Sequence, residues 1–162
     1  MMRFFDDIRV GDKATIGTHV FTAEEIKTFA RQYDPQPFHL DEKLGEASHF
    51  GALVASGWHT ASLWMRKMVD YRKSEAEAMR RRGEPVPVIG PSPGFKDMRW
   101  YKPVLAGDTI TFTTEAVEVR TSKTRPEWGL VRLLNCGINQ HGVEIMSFIS
   151  VAFIERRDKT PV

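Results

Sequence analysis

Two ionisable side chains, Asp34 and His39, lie close together in the stretch YDPQPFHLDE, residues 33–42. Pro35 and Pro37 lie on either side of Gln36, and each proline fixes its own φ angle, which lowers the entropy lost when the two side chains are positioned. A carboxylate and an imidazole that hold one water between them can move protons in both directions. The stretch therefore predicts a general acid–base pair. The alternative is an ordinary turn aspartate beside a partly buried histidine.

The stretch SGWHTAS, residues 56–62, is a second place where chemistry is expected. Gly57 lies where a helix is predicted to begin, so its backbone N–H can face a ligand oxygen. Together with the helix dipole, such an N–H forms a site for a developing oxyanion. The alternative is that Gly57 only permits close packing of the helix against a sheet.

Other reactive side chains fit no known arrangement. The histidines outside the pair show no metal-binding spacing, and no glycine-rich phosphate loop is present, so we expect neither a metal nor a cofactor. Cys136 lies in the alternating apolar run LVRLLNCGIN and is predicted to be a buried strand residue rather than a nucleophile.

Length and composition favour one ordinary globular domain. The chain has 162 residues, 41% of them hydrophobic, and a formal net charge of +2. We therefore predict a single domain over residues 1–162 and no nucleic-acid partner. The single cysteine, with no signal peptide and no membrane span in the sequence, predicts a soluble cytoplasmic protein.

The elements that must position these residues follow from the hydrophobic pattern. A strand is predicted over residues 12–21, followed by a helix with Thr22 as N-cap that ends near Tyr33 before Pro35. Residues 34–39 are predicted to be extended. The apolar segment ALVASGWHTASLWMRKMV after Phe50 and Gly51 predicts a long helix, buried on all sides.

The second half predicts strands. A charged helical extension and a proline-rich connector, at about residues 70–94, are expected to form an insertion or lid-like loop within the domain. Four strand patterns with hairpin signals then follow. The predicted fold class is α+β, with a helix on an antiparallel sheet. The tail RRDKTPV is expected to fray.

The segment YDPQPFHLDEKLGEASHFGALVASGWHTASL resembles the hydratase motif of MaoC-like dehydratases, the (R)-specific enoyl-CoA hydratase family. That motif runs Asp-x-Asn-Pro-x-His-x-Asp, then Phe-Gly, then Ala-His-Gly. The matching residues are Asp34, Pro37, His39, Asp41, Phe50, Gly51, Ala55 and Gly57. Later stretches, such as KPVLAGDTI and NQHGVEIMSF, also look like that family, so the resemblance covers nearly the whole chain.

This resemblance implies a hotdog fold, in which a curved antiparallel sheet wraps a long central helix. It also implies a homodimer or larger homo-oligomer and an acyl-CoA substrate, with reversible addition of water to a trans-2-enoyl thioester. Asp34 and His39 would bracket the water, the Gly57 N–H would stabilise the enolate-like thioester oxygen, and Ser62 would orient the pair. Which of Asp34 and His39 acts as the base stays open.

Two departures from the family pattern bear on the substrate. Gln36 replaces the usual Asn and Ser56 replaces the usual His, while the bulky Trp58 follows Gly57. We therefore expect Gln36, Phe50, Gly51, Ser56 and Trp58 to shape the substrate site. A hotdog thioesterase and a non-catalytic acyl-CoA-binding hotdog protein are the rival functions.

Overall fold

The computed structural model describes residues 2–157 of the chain. After a short 3-10 helix, Phe5–Asp7, come strand β1 (Lys13–Val20) and helices α1 (Ala23–Tyr33), α2 (Pro37–Leu40), α3 (Glu42–Glu46) and α4 (Gly57–Arg81). Four strands complete the fold: β2 (Phe95–Trp100), β3 (Thr109–Thr121), β4 (Trp128–Ile138) and β5 (Glu144–Glu155). The predicted order of elements and the α+β class are confirmed.

The five strands form one antiparallel sheet in the order β1-β3-β4-β5-β2. Register shifts interrupt β1 between Thr15 and Gly17, and β3 between Ala116 and Glu118. Such bulges add bend and twist to a strand. The sheet therefore curves, and helix α4 packs against it.

The main core lies between helix α4 and the sheet. Trp64 and Met68 of α4 meet the fully buried Phe112, Ile145 and Met146 of the strands. Each of these large side chains contributes roughly 1.5–3 kcal/mol by leaving water. This packing fixes the start of α4 relative to the strand ends, which is where the predicted chemistry lies.

Helix α1 forms as the capping pattern predicts. The Thr22 hydroxyl accepts a hydrogen bond from the Glu25 N–H at 3.3 Å. The helix ends at Tyr33, and Asp34 is its C-cap residue. The prediction for this helix is therefore confirmed at both ends.

Two expectations about the middle of the chain are wrong in detail. Residues 37–40 form the short helix α2 rather than an extended segment, because Pro37 occupies the first helical position, where its missing N–H costs no hydrogen bond. The long helix begins at Gly57, as predicted for that glycine, but the apolar residues before it do not belong to the helix, because Val54 is bridged to Leu105 in an extended conformation.

The long helix is also not buried on all sides. Met65 is half exposed, and Trp58 and Val69 are exposed as well. The charged segment that was expected as part of an insertion continues α4 without a break to Arg81. The connector after it bonds to the sheet, since the Gly90 N–H donates to the Phe153 carbonyl at 2.8 Å. The end of the predicted frayed tail lies outside the described residues.

None of the helices within residues 2–157 is both long and apolar enough to cross a membrane.

Gly45 holds the segment before α4 in place, and its substitution by alanine should destabilise the protein. A Cβ at Gly45 would lie 2.6 Å from both the Ala52 carbonyl oxygen and the Leu53 nitrogen, which are backbone atoms that cannot move aside cheaply. We expect Gly45→Ala to lower the free energy of unfolding by about 1–3 kcal/mol in urea titrations. The exposed neighbour Glu46→Ala is the control, expected within about 0.5 kcal/mol of wild type. Equal stability of the two variants would contradict this packing.

Candidate active site

Asp34 and His39 face each other across the junction between α1 and α2. Asp34 ends α1, and Pro37 starts α2, which carries His39. His39 Nε2 lies 3.4 Å from Asp34 Oδ2. The His39 side chain is 7% exposed and that of Asp34 is 17% exposed. The two prolines thus separate and orient two helix ends so that the side chains converge.

A backbone carbonyl fixes the tautomer of His39. His39 Nδ1 lies 2.7 Å from the Val54 carbonyl oxygen, which can only accept a hydrogen bond. Nδ1 therefore carries a proton and donates it. In neutral His39, Nε2 is then an unprotonated acceptor turned towards Asp34.

Two side chains donate hydrogen bonds to the Asp34 carboxylate. The Ser56 hydroxyl donates to Oδ2 at 2.6 Å, and the Gln36 amide donates to Oδ1 at 2.8 Å. Burial raises the pKa of Asp34, but the bonds from Ser56 and Gln36 and the charge of His39 outweigh burial, so the pKa of Asp34 lies below its usual value of 3.8. Asp34 is therefore ionised at neutral pH.

When His39 is in its neutral form, it and the ionised Asp34 present two hydrogen-bond acceptors to one another. Two acceptors cannot bond directly, but a water molecule can donate one hydrogen to each. Its oxygen lone pairs then point away from the pair. This arrangement suits activation of a water nucleophile.

Ser56 connects this pair to the start of α4. Its hydroxyl donates to Asp34 and also accepts from the Trp58 N–H at 3.2 Å, so Ser56 is the N-cap of the helix. The Gly57 N–H comes first in the helix, and no group within residues 2–157 accepts a hydrogen bond from it. An uncommitted N–H at a helix N-terminus is suited to a developing negative charge.

Gly57 also has a packing role. The indole of Trp100 covers Gly57, and a Cβ there would lie 2.6 Å from the Trp100 ring. The Trp100 indole N–H donates to the Gly57 carbonyl at 3.0 Å. Both sequence-based interpretations of this glycine, close packing and a free N–H, are thus compatible with the same geometry.

A cavity of about 420 Å³ opens in front of these groups. Its wall includes seven of the nine residues proposed from the sequence for the site: Asp34, Gln36, His39, Phe50, Ser56, Gly57 and Trp58. The Gln36 amide reaches the carboxylate, so the side chain that replaces the usual Asn still bonds to Asp34.

Two proposed residues do not take part in this cavity. Ser62 is exposed, and its hydroxyl donates to the Trp58 carbonyl at 2.7 Å, so the expectation that it orients the Asp–His pair is wrong for this chain. Ser56 is the serine that bonds to Asp34 instead. Ser62 lies six positions later, and six positions along an α-helix rotate a side chain by about 240° around the helix axis, so the two serines face different directions. Gly51 lies in an exposed turn with φ 69°, next to Phe50 but outside the cavity wall.

Sequence reasoning missed three parts of the site. The Val54 carbonyl is a backbone group and leaves no signature in residue type. Trp100 and Lys102 come from the end of β2 and the turn after it, far along the chain. The only signal for them was the aromatic and basic run RWYK in a predicted strand.

Another histidine of α4, His59, is buried but lies outside this cavity. Its ring stacks on Phe29 with 4.6 Å between ring centroids. Burial lowers the pKa of His59 to about 4, so it is neutral near pH 7. We assign it to packing between α1 and α4.

Neither Cys136 nor a metal cluster adds chemistry to the described residues. Burial, with a smaller contribution from Glu144, raises the pKa of Cys136 to about 11, so its thiol stays protonated. Cys136 lies in β4 and is half-buried. No group of three or more His, Cys, Asp or Glu side chains in residues 2–157 has the spacing to hold a metal ion.

The sheet curved against a long helix, with a polar pair at the N-terminus of that helix, defines the class of the protein. This is a hotdog fold: a Mycobacterium tuberculosis protein described as a double hotdog fold superposes with a TM-score of 0.73 and 16% identity, over 99% of this chain and 47% of that one. The family model for the MaoC like domain matches residues 8–131. The chain therefore belongs to the MaoC-like family.

Solved structures of similar proteins agree with this assignment. A MaoC-like dehydratase from Rhodospirillum rubrum is 31% identical, with a TM-score of 0.79 over 96% of this chain and 99% of that chain. An R-hydratase from Pseudomonas aeruginosa shares the fold at 20% identity, with a TM-score of 0.66 over 96% and 88% of the two chains. No curated protein matches the chain.

Removing the Ser56 hydroxyl should raise the pKa of Asp34. The folded-state pKa of Asp34 is depressed, so its contribution to stability is present above pH 3.8 and is lost as the pH falls through the folded pKa. Compared with wild type, we expect Ser56→Ala to lose less stability when the pH is lowered. At pH 7 we expect its free energy of unfolding to be about 1 kcal/mol lower, because the N-cap of α4 is lost. NMR titration of the Asp34 carboxyl carbon and urea unfolding at several pH values measure both effects.

The matched control is Ser62→Ala, which removes an exposed hydroxyl from the same helix. We expect the pKa of Asp34 to stay at its wild-type value in this variant. If the pKa of Asp34 changed in Ser62→Ala and stayed the same in Ser56→Ala, Ser62 rather than Ser56 would be the serine that bonds to Asp34.

Proposed function

We propose that this protein is a hydratase that adds water reversibly across the double bond of a trans-2-enoyl thioester to give a 3-hydroxyacyl thioester. The observation that carries the proposal is the pair formed by the buried His39 and the partly buried Asp34, 3.4 Å apart, at the wall of a cavity of about 420 Å³. Membership of the MaoC-like family and the fold shared with an R-hydratase support it.

The reaction begins with the water that donates hydrogens to Asp34 and His39. As the water oxygen bonds to C3, one member of the pair accepts a proton from the water, and the π electrons of the C2–C3 bond move towards C2 and the thioester carbonyl. The same proton is then delivered to C2. The pair ends in its starting protonation state, and both new bonds form on one face of the substrate, which is a syn addition.

The Gly57 N–H stabilises the intermediate in this mechanism. The thioester oxygen becomes enolate-like as C3 is attacked, and a preorganised donor at the positive end of α4 lowers the energy of that state. Trp58 cannot contribute its N–H as a second donor, because the Ser56 hydroxyl already accepts from it. The Gly57 N–H is uncommitted among residues 2–157, and Gly57 lies in the cavity wall, whereas His59 does not.

The cavity suits an apolar acyl group attached to a charged carrier. Phe38, Phe50, Trp58 and Trp100 supply aromatic walls. Lys102 is exposed and also lines the cavity, where its ammonium group can meet the phosphates of coenzyme A. We therefore propose an acyl-CoA as the substrate.

We further propose that the protein acts as a homodimer. Strand β2 lies at the edge of the sheet, paired on one side with β5. It carries the exposed aromatic residues Phe95 and Trp100, and the side of α4 nearby exposes Met65. A second copy that pairs with this edge would cover these apolar side chains.

Substitution of either member of the pair should abolish hydration. We expect Asp34→Asn and His39→Ala each to lower the rate of crotonyl-CoA hydration by about a hundredfold or more, because the amide of Asn cannot serve as a proton acceptor and Ala removes the imidazole. The rate is followed by loss of the absorbance of the conjugated thioester, and circular dichroism checks that the fold is intact. Release of free thiol is measured in the same samples.

His49→Ala is the control, since His49 is an exposed histidine outside the cavity wall. We expect wild-type activity from it. Full activity in Asp34→Asn or His39→Ala would remove that residue from the mechanism. Thiol release without hydration would replace the hydratase by a thioesterase, and substrate binding with neither reaction would indicate a non-catalytic acyl-CoA-binding protein.

The mass in solution tests the homodimer. We expect sedimentation equilibrium to give a multiple of 18.5 kDa, and Met65→Lys to lower the mass towards that of one chain. Exposed Lys43→Met, which lies on α3 away from this face, should leave the mass unchanged. A wild-type monomer at micromolar concentration would contradict the proposed interface.

A further inference from the structure

A second cavity, of about 280 Å³, lies between α4, β5 and the connector that precedes β2. Trp64, Met68 and Arg72, each four residues apart, line it from one face of α4. Phe148, Ser150 and Ala152 line it from β5. None of these residues belongs to the wall of the cavity that holds Asp34 and His39.

Arg72 is the one cationic side chain in the wall of this cavity, and no partner within residues 2–157 neutralises it. No carboxylate oxygen within residues 2–157 lies within 4.0 Å of its guanidinium nitrogens, and no hydrogen bond from it is formed there. Burial lowers the pKa of Arg72 from its ordinary value. The residue is partly buried, so its guanidinium group is partly desolvated without a counter-charge, and an anionic ligand in the cavity would supply one.

One acidic residue that shares a cavity wall with Arg72 is engaged elsewhere through its Oδ2 atom. Asp12 and Arg72 both line a small adjoining cavity. The Asp12 carboxylate, however, accepts from the Arg9 backbone N–H at 2.9 Å and from the Arg3 side chain at 3.3 Å. It forms no ion pair with Arg72.

Ser150 adds a second donor to the same cavity. Its oxygen accepts a hydrogen bond from the Asn135 amide at 3.0 Å, and Asn135 is fully buried. The hydroxyl hydrogen of Ser150 has no acceptor among residues 2–157. The buried indole N–H of Trp64 is a third donor without an acceptor among residues 2–157, and aromatic, methionine and small side chains make up most of the remaining wall.

We propose that this cavity binds a small amphiphilic carboxylate, with its carboxylate on Arg72 and its apolar chain along Met68, Trp64 and Phe148. The Arg72 fork suits a carboxylate, because two parallel N–H···O bonds can form. An alkyl chain suits the rest of the wall, and the helix rise places Trp64 about 12 Å along α4 from Arg72. The site is independent of the proposed hydration chemistry, but Met65 and Phe95, which also line it, belong to the face proposed for the homodimer.

Calorimetric titration of the full-length protein with decanoate tests this site directly, without any measurement of hydration. Wild type is expected to bind decanoate saturably and to bind decanol more weakly. Arg72→Gln should weaken decanoate binding by about tenfold or more while leaving decanol binding unchanged, since only the charge-assisted bonds are lost. Arg72→Lys, which keeps the charge, should retain part of the affinity.

Arg81→Gln is the matched control, because it removes the same charge from an exposed position on the same helix. It should bind decanoate like wild type. Equal binding by wild type and Arg72→Gln would overturn the proposal, as would the absence of saturable binding in wild type. A change in solution mass in Arg72→Gln, with no decanoate binding in wild type, would also overturn it and assign Arg72 to contact with a second copy of the chain.

Discussion

The hydroxyl of Ser56 is the group on which the arrangement of the site depends. It donates to the Asp34 carboxylate and accepts from the Trp58 N–H, so one side chain both holds an ionised acid and caps the longest helix. A hydroxyl can perform both roles because it is a donor and an acceptor at once. The position of the carboxylate is thereby coupled to the position of the helix that packs against the sheet.

The same short segment also controls the histidine. The Val54 carbonyl receives the Nδ1 proton of His39, so the segment before α4 sets the ionisation of one partner and the tautomer of the other. Trp100, from the edge strand, packs on Gly57 and donates to its carbonyl. The site is thus formed where the α1–α2 junction, the start of α4 and the end of β2 meet.

Much of this arrangement was predictable from residue types, and the rest was not for identifiable reasons. The proline spacing marked Asp34 and His39, and alternating strands with turn signals gave the antiparallel sheet. The apolar residues before Gly57 were grouped with the helix because small apolar residues suit a buried strand or a helix equally well. The role expected for Ser62 came from the family resemblance alone, and residue type does not show that Ser56 is the serine that bonds to Asp34. The roles of Val54 and Trp100 depend on backbone groups and long-range contacts, which local pattern does not encode.

The dual hydrogen bonding of Ser56 has a consequence for local unfolding. Helix ends are the parts of helices that open most readily, well below the free energy of global unfolding. Here, opening the first turn of α4 breaks the bond to Asp34 and displaces the Gly57 N–H in the same event. The Ser56 bond to Asp34 and the position of the Gly57 N–H are therefore lost together, while the Gln36 bond to Asp34 and the His39 bond to the Val54 carbonyl lie outside that turn. One opening event at a helix end thus changes both the surroundings of an ionised side chain and the position of a backbone donor.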